Sequence, residues 1–479
     1  MTRRAIVLSV VITLIVVIVS VVSLLLVARS RFESAEPLKF VANTALRNNA
    51  DQTAAVIPAL FGMESPRTIL VLFLNNTEIR PGGGFIGSYG VITVDKGSIT
   101  SLFTDGTENL DRAAIALAPI EPPQPLKDHL IHRWFFRDSN WSPDFFESTK
   151  NVLKFYDIEK GQQADAIQTV VGITPEVLET IMKYTGPVTA RGKVYTSENV
   201  TDTLEQAVEI DFHEQGISKL ERKAIIGEIG SEIIARMKRI SPLQWPGLLN
   251  DVQNLIDERH VIFYDKDPKI QKTLDELGWS GRMKKAKTDS FMFVDANLAS
   301  LKTDRVMQRA VQYRVFKDAA SGEWRARMTM DYKNTGSFDW RTTRYGTYTR
   351  WFFPAGTKFL SGSGSVKSHK DKAPGTWDVL NEEGQVSIGS FIVTEPGTTT
   401  RVVIDVGLAP HVVAAITSGQ YELLVQKQLG THGFELTVDA EFGKSVRVAT
   451  PPEDPKKFGD NAYTWKGFVK KDVQFDVSM

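Results

Sequence analysis

The chain of 479 residues contains no cysteine. That absence excludes disulfides, thiolate zinc sites, iron–sulfur clusters and a cysteine nucleophile. An excess of one charge sign is also lacking, because 57 Lys and Arg face 57 Asp and Glu. No global field therefore favours nucleic acid, and the basic stripe of nucleic-acid binders is missing. Histidine is sparse at seven. His129 and His132 could share a helix face, but no third ligand follows at a metal-site interval. Gly82-Gly83-Gly84 lacks the Lys-Ser/Thr and the spacing of a P-loop or dinucleotide fingerprint. Gly87-Ser88-Tyr89-Gly90 only echoes the G-x-S-x-G elbow of hydrolases. No internal repeat is found.

One long hydrophobic run is present. Arg3 and Arg4 precede apolar residues 5–28, enough for a membrane-spanning helix of about 20 residues. The exit, LVARSRF, offers no small-x-small cleavage site. The expectation is therefore a single-pass anchor in the lipid bilayer of the cell membrane, with the bulk of the chain extracytoplasmic.

Beyond that run the periodicity changes twice, and the fold class expected is α+β multidomain. Residues 1–31 read as cytoplasmic tip and anchor, and 32–64 as a helical stalk with Leu38, Val41 and Ala45 near helical spacing. Residues 65–304 read as a layered α/β domain: strands at 69–74, 85–94, 98–103, 165–171, 188–195, 261–264 and 291–294 alternate with helical stretches. Asp95-Lys96-Gly97 makes the second and third strands a hairpin, Ser142-Pro143 opens one helix, and Asp267-Pro268 opens another. Residues 305–448 carry short alternating runs between Gly, Pro, Asn and Asp clusters, the spacing of a β-sandwich. Residues 449–479 read as a C-terminal tail.

The first candidate site is the loop between the first two strands. Asn75, Asn76, Glu78 and Arg80 are followed by Pro81 and by Gly82, Gly83 and Gly84, with Ser88 further on. Glycines let backbone N–H groups approach a ligand, and arginine offers a fixed fork of donors to phosphate. The loop can thus cradle an anionic or sugar ligand. The alternative is a structural turn with a Glu78–Arg80 ion pair. The second candidate is HLIHRWFFRDSNWSPDF, which places Arg133, Arg137, Asp138, Asn140, Trp141 and Asp144 among aromatics. It reads either as a polysaccharide or lipid-phosphate groove, or as core aromatics with polar residues leading into a helix. No metal site is expected.

NNTEIRPGGGFIGSYG resembles the signature of a bacterial envelope family, domain of unknown function 4012. DSNWSPDF, TGPVTA, DANLASLKTD, YTRWFFPAGTKFL and YELLVQKQLGT follow in the family's order. The α/β part is more remotely similar to the LytR-CpsA-Psr ligases, which move glycopolymers from polyprenyl diphosphate carriers. This chain departs from them: Asn75 and Asn76 stand where the first strand ends in an acid. Gly87-Ser88 stands at the magnesium aspartate, and Thr104-Asp105 at an arginine–aspartate pair. The resemblance implies binding or transfer of a glycopolymer or its polyprenyl-phosphate carrier, with magnesium only if the chain is a phosphoglycosyl transferase. The alternative is a non-catalytic surface scaffold that binds a partner protein or polysaccharide through its β-sandwich. Geometry separates the two: an enzyme needs an elongated apolar groove beside Arg80 with at least one carboxylate facing it, whereas a scaffold needs a shallow surface there and an exposed apolar patch on the sandwich instead.

Overall fold

In RTILVLFLN, residues 67–75, side chains alternate between two faces, and from Ile69 to Leu74 both sets are apolar. Such a strand needs cover on both sides. In the computed structural model, which describes residues 50–218, 221–237 and 239–479, it is the middle strand of a sheet. The chain forms two units. One comprises the described residues up to Asn75, within Gly83–Ile120 and within Trp134–Arg282; the other comprises Asn76–Gly82, Glu121–Arg133 and Met283–Met479.

The first unit is α/β. Its strands are β1 (Arg67–Asn75), β2 (Phe85–Asp95), β3 (Ser98–Gly106), β4 (Ile167–Ile173), β5 (Val188–Ala190), β6 (Lys193–Tyr195) and β7 (Val261–Asp265). Five of them form a sheet in the order β3-β2-β1-β4-β7, in which β1 and β4 run parallel and the other neighbours antiparallel. The β2–β3 turn has Lys96 at φ 49° and Gly97 at φ 74°, the left-handed pair that a two-residue hairpin of matching twist requires. Ile69 and Val71 join Ile92, Ile173 and the helices Pro175–Thr185, Ala224–Met237 and Trp245–Asp257 in one core. Leu70, Leu72 and Leu74 are buried on the opposite face. There helix Phe145–Ile158 comes so close that a Cβ on Gly172 would lie 2.8 Å from Leu74 and 3.2 Å from Phe145.

Local signals compete at two places. The helix expected from Ser142-Pro143 begins instead after Asp144, whose carboxylate accepts from the amides of Phe146 (2.9 Å) and Glu147 (3.3 Å). An aspartate N-cap satisfies two orphan donors at once. The strand expected over 188–195 is a hairpin, β5 and β6, because Arg191 (φ 46°) and Gly192 (φ 75°) turn the chain back.

The second unit is β-rich. Its strands are β8 (Asp289–Asn297), β9 (Met307–Lys317), β10 (Trp324–Asn334), β11 (Tyr345–Phe353), β12 (Lys358–Ser363), β13 (Asp378–Glu382), β14 (Gln385–Thr394), β15 (Thr399–Gly407), β16 (Gln420–Gln426), β17 (Phe434–Glu441), β18 (Val448–Thr450), β19 (Ala462–Val469) and β20 (Val473–Ser478). One sheet runs β12-β15-β10-β9-β17-β19, and another runs β13-β14-β11-β8-β16-β20-β18. Inward residues of both, such as Tyr313, Met328, Trp351, Ile388, Ile404 and Leu436, fill one apolar core. β8, β11 and β14 are buried at every residue. A second cluster of Met283, Met292, Val294 and Phe352 supplies apolar cover for β8 and β11 away from that core.

Three expectations change. Residues 449–479 are not a tail: they contribute β19 and β20, which pair with β17 and β16. β8, expected in the α/β part, pairs with β11 and β16 of the second unit. The single-pass membrane placement is corrected too. Among the described residues no helix is long and apolar enough to cross a membrane. The run at 5–28 and most of the 32–64 stalk lie outside the described residues, so the bilayer partner and the cell-membrane localisation are withdrawn.

Candidate functional site

The residues singled out in the sequence divide between the units. Asn75, Gly83, Gly84, Ser88, Arg137, Asp138, Asn140, Trp141 and Asp144 belong to the first; Asn76, Glu78, Arg80, Gly82 and Arg133 belong to the second.

Within the second unit, residues 76–82 form a strap held by side chains from far along the chain. Asn76 Nδ2 donates to the Gly430 carbonyl at 2.8 Å. The Ile79 amide donates to Asp304 at 3.0 Å, and the Asn297 amide donates back to the Ile79 carbonyl at 3.0 Å. Arg80 is 2% exposed. Its guanidinium donates to the carbonyls of Asn297 (2.8 Å) and Ile79 (3.2 Å) and to Glu78 (3.2 Å). Gln428 Nε2 donates to the Arg80 carbonyl at 3.2 Å. Desolvating a guanidinium is tolerable only with such partners. Behind the strap, Arg309 binds Asp295 (2.6 Å) and Asp304 (2.7 Å), while Tyr332 and Tyr345 donate to those two carboxylates. Residues from NNTEIRP, DANLASLKTD and YELLVQKQLGT thus meet in one buried network. Arg309 and the tyrosines carried no sequence signal, since Arg309 and Tyr332 sit singly in alternating strands and Tyr345 in one buried throughout.

In the first unit, Gly83 and Gly84 adopt φ 109° and 143°, positions at which a side chain is strained. Asn140, fully buried, donates to the Gly84 carbonyl at 2.7 Å. Ser88 is 8% exposed. Trp134 Nε1 donates to the Asp138 carbonyl at 2.8 Å, and Asp144 caps its helix. Trp141 is buried at 9% exposure. Arg137 lies over Phe135 and pairs with Asp111 at 2.9 Å. Burial pushes the Asp111 carboxyl up to about 8, against the pull of Arg137, and Glu159 pushes it further. Glu159 in turn accepts from the Phe136 amide at 2.8 Å. Asp111 was missed because a single acid in a short helix is not distinctive. Among the described residues no group of three His, Cys, Asp or Glu could hold a metal ion.

An open polar surface lies elsewhere, on the outward face of the six-stranded sheet. Its inward residues, including Met328, Met330, Val402, Ile404, Leu436 and Val438, are buried. With a period of two, their neighbours must face outward. A depression of about 530 Å³ is lined there by residues of β9, β10, β15, β17 and β19. The strand register arranges them in rows. One row runs Arg401, Asp331, Ala310, Glu435 and Phe468, and the next runs Val403, Thr329, Gln312, Thr437 and Lys466. Arg401 closes on Asp331 with two bonds of 2.7 Å. Arg327 closes on Asp405 with bonds of 2.7 and 3.0 Å. The surface offers hydroxyls, an amide and both charge signs at fixed rungs.

The fold thus defines an α/β region joined to a β-rich region with a polar sheet face. Residues 64–208 match the family described as "Protein of unknown function (DUF4012)". The matched span carries β1 to β6 and neither of the large sheets. No curated protein matches the chain. Among solved structures it is similar to a provisionally named nutrient binding protein of Legionella pneumophila, at 8% identity and TM-score 0.26, over 40% of this chain and 71% of that one. Leukotriene A4 hydrolase of Saccharomyces cerevisiae is similar at 7% identity and TM-score 0.23, over 36% of this chain and 29% of that one. An M1 zinc metallopeptidase of Deinococcus radiodurans is similar at 9% identity and TM-score 0.19, over 40% and 43%. Likenesses this low carry no argument about function.

Proposed function

We propose that the chain is a non-catalytic binding protein whose β-rich region, taken as a β-sandwich, holds a polysaccharide on the outward face of its six-stranded sheet. The observation that carries this is the depression across five strands. Polar rungs on a rigid sheet suit a ligand rich in hydroxyls, because donors and acceptors are fixed before it arrives. Transfer from a polyprenyl-phosphate carrier is the less supported reading. Arg80 is buried and engaged by carbonyls, and asparagine and serine stand where LytR-CpsA-Psr ligases carry acids.

Thr329 faces outward at the centre of the depression, so Thr329→Trp should fill it without disturbing the core. Co-sedimentation of the full chain with insoluble polysaccharides is expected to show retention by the parent and a loss of about tenfold or more in the variant, a change of about 1.4 kcal/mol. Equal retention by both proteins, with matching melting temperatures, would rule the face out.

A further inference from the structure

Glu435 and Lys466 line the depression on the adjacent strands β17 and β19. Glu435 is opposite Phe468 and Lys466 is opposite Thr437, so the two charges are diagonal neighbours on one face. Unlike charges at cross-strand positions ordinarily pair, as Arg401–Asp331 and Arg327–Asp405 do here. Glu435 and Lys466 are exposed, and neither has an ion-pair or hydrogen-bond partner of its side chain among the described residues. The outward face therefore holds closed charge couples and one open couple. Phe468, two residues beyond Lys466 on the same face, is 55% exposed, an aromatic surface beside the open ammonium.

We infer that the ligand is a zwitterionic glycan, a sugar chain whose repeat carries both an acid group and a free amine. This rests on the polysaccharide reading above and narrows it. The acid group is placed on Lys466, the ammonium on Glu435 and a ring face on Phe468, while Gln312, Thr329 and Thr437 meet hydroxyls. A chain carrying one charge sign gains at one member of the couple and is repelled by the other. Against a polyanion stand Glu435 and Asp331; against a polycation stand Lys466, Arg327 and Arg401. Specificity then arises from repulsion as much as attraction. With the formal net charge of the chain at zero, no long-range field overrides that local choice.

The test uses four oligosaccharides of equal length with the full chain in calorimetry, below neutral pH where amino sugars are charged. They are alternating glucuronate and N-acetylglucosamine (acid only), the same polymer de-N-acetylated (acid and amine), glucosamine oligomers (amine only) and N-acetylglucosamine oligomers (neutral). The de-N-acetylated polymer is expected to bind at least about tenfold tighter than the other three, and the advantage is expected to shrink as salt rises. Lys466→Gln should erase its advantage over the amine-only oligomer, and Glu435→Gln its advantage over the acid-only one. Both substitutions are outward-facing and should leave the melting temperature unchanged. Equal binding of neutral and zwitterionic oligomers would overturn this inference while upholding a polysaccharide site. Binding of no oligosaccharide by a folded parent would overturn the polysaccharide reading itself.

Discussion

Arg80 combines two properties that rarely coexist, a full positive charge and 2% exposure. Its bonds to the Asn297 and Ile79 carbonyls and to Glu78 keep that charge tolerable. Arg80→Ala removes these donors and leaves buried acceptors behind, so the stability of the second unit should fall by roughly 2–5 kcal/mol. Lysine, a point charge without the planar fork, should recover only part of this. Urea unfolding followed by tryptophan fluorescence measures it, and an unchanged midpoint for the alanine variant would remove the strap's structural role. Asp289 acts in a different way. It is buried, accepts from Tyr313 (3.0 Å) and Tyr421 (2.7 Å), and burial pushes its carboxyl up to about 6 despite those bonds. The folded state therefore binds this proton more tightly than the unfolded one. Its contribution to stability is complete below the ordinary carboxylate value and is lost as pH rises through about 6. Stability of the second unit should accordingly decline between about pH 4 and pH 6, by at most about 1.4 kcal/mol per pH unit from this one group. Asp289→Asn should flatten that slope, and an identical pH profile in the variant would exclude Asp289 as its source. Asp111, pushed up to about 8 in the first unit, contributes with the same sign at higher pH.

At the scale of elements, legibility followed burial. β1, β2, β11 and β14 were readable because apolar β-formers run through them, and Lys96-Gly97 named its own turn. β12 and β13 were not, since they expose most of their residues and show no alternation. The stretch 449–479 misled for the same reason. Its prolines and lysines are visible, whereas Tyr463, Val469, Phe475 and Val477 are spaced too thinly to announce that all four are buried. That burial gives a prediction. Deleting 449–479 strips β19 from one sheet and β20 from the other, and exposes Leu436, Val438, Leu423 and Val425. Each such side chain is worth roughly 1.5–3 kcal/mol when buried, well beyond the margin of a typical domain. The truncated protein should lose the near-ultraviolet signal of the second unit and bind a hydrophobic dye; a native-like spectrum would show these strands to be dispensable.

For the whole molecule, the candidate site was far less readable than the fold. Motif residues such as Asn140 and Arg80 are local enough to catch the eye, and they are buried with protein partners. The sheet face has no motif, because it exists only once β10 meets β15, about 70 residues later in the chain, and β9 meets β17, more than 100 residues later. Asp331 and Arg401 become neighbours through that register alone. A face assembled from every second residue of five strands leaves a faint imprint on a linear sequence, and charge balance at 57 against 57 hides it further.

The allocation of residues between the units also bears on the order of events during synthesis. Asn76–Gly82 and Glu121–Arg133 belong to the β-rich unit although they are made long before its main body. Ile79 must wait for Asp304, and Asn76 for Gly430, 354 positions later. Closing such loops is entropically slow, so the unit inherits the lag of high contact order. A fragment covering 283–479 should remain incompletely folded when made alone and should recover when a peptide spanning 76–82 is supplied in excess. Spontaneous folding of the bare fragment to a stable state would show that the early segment is not needed. The β-rich unit is then the last part to mature, and the interval between translation and binding competence is set by the meeting of an early segment, 76–82, with residues made more than 200 positions later.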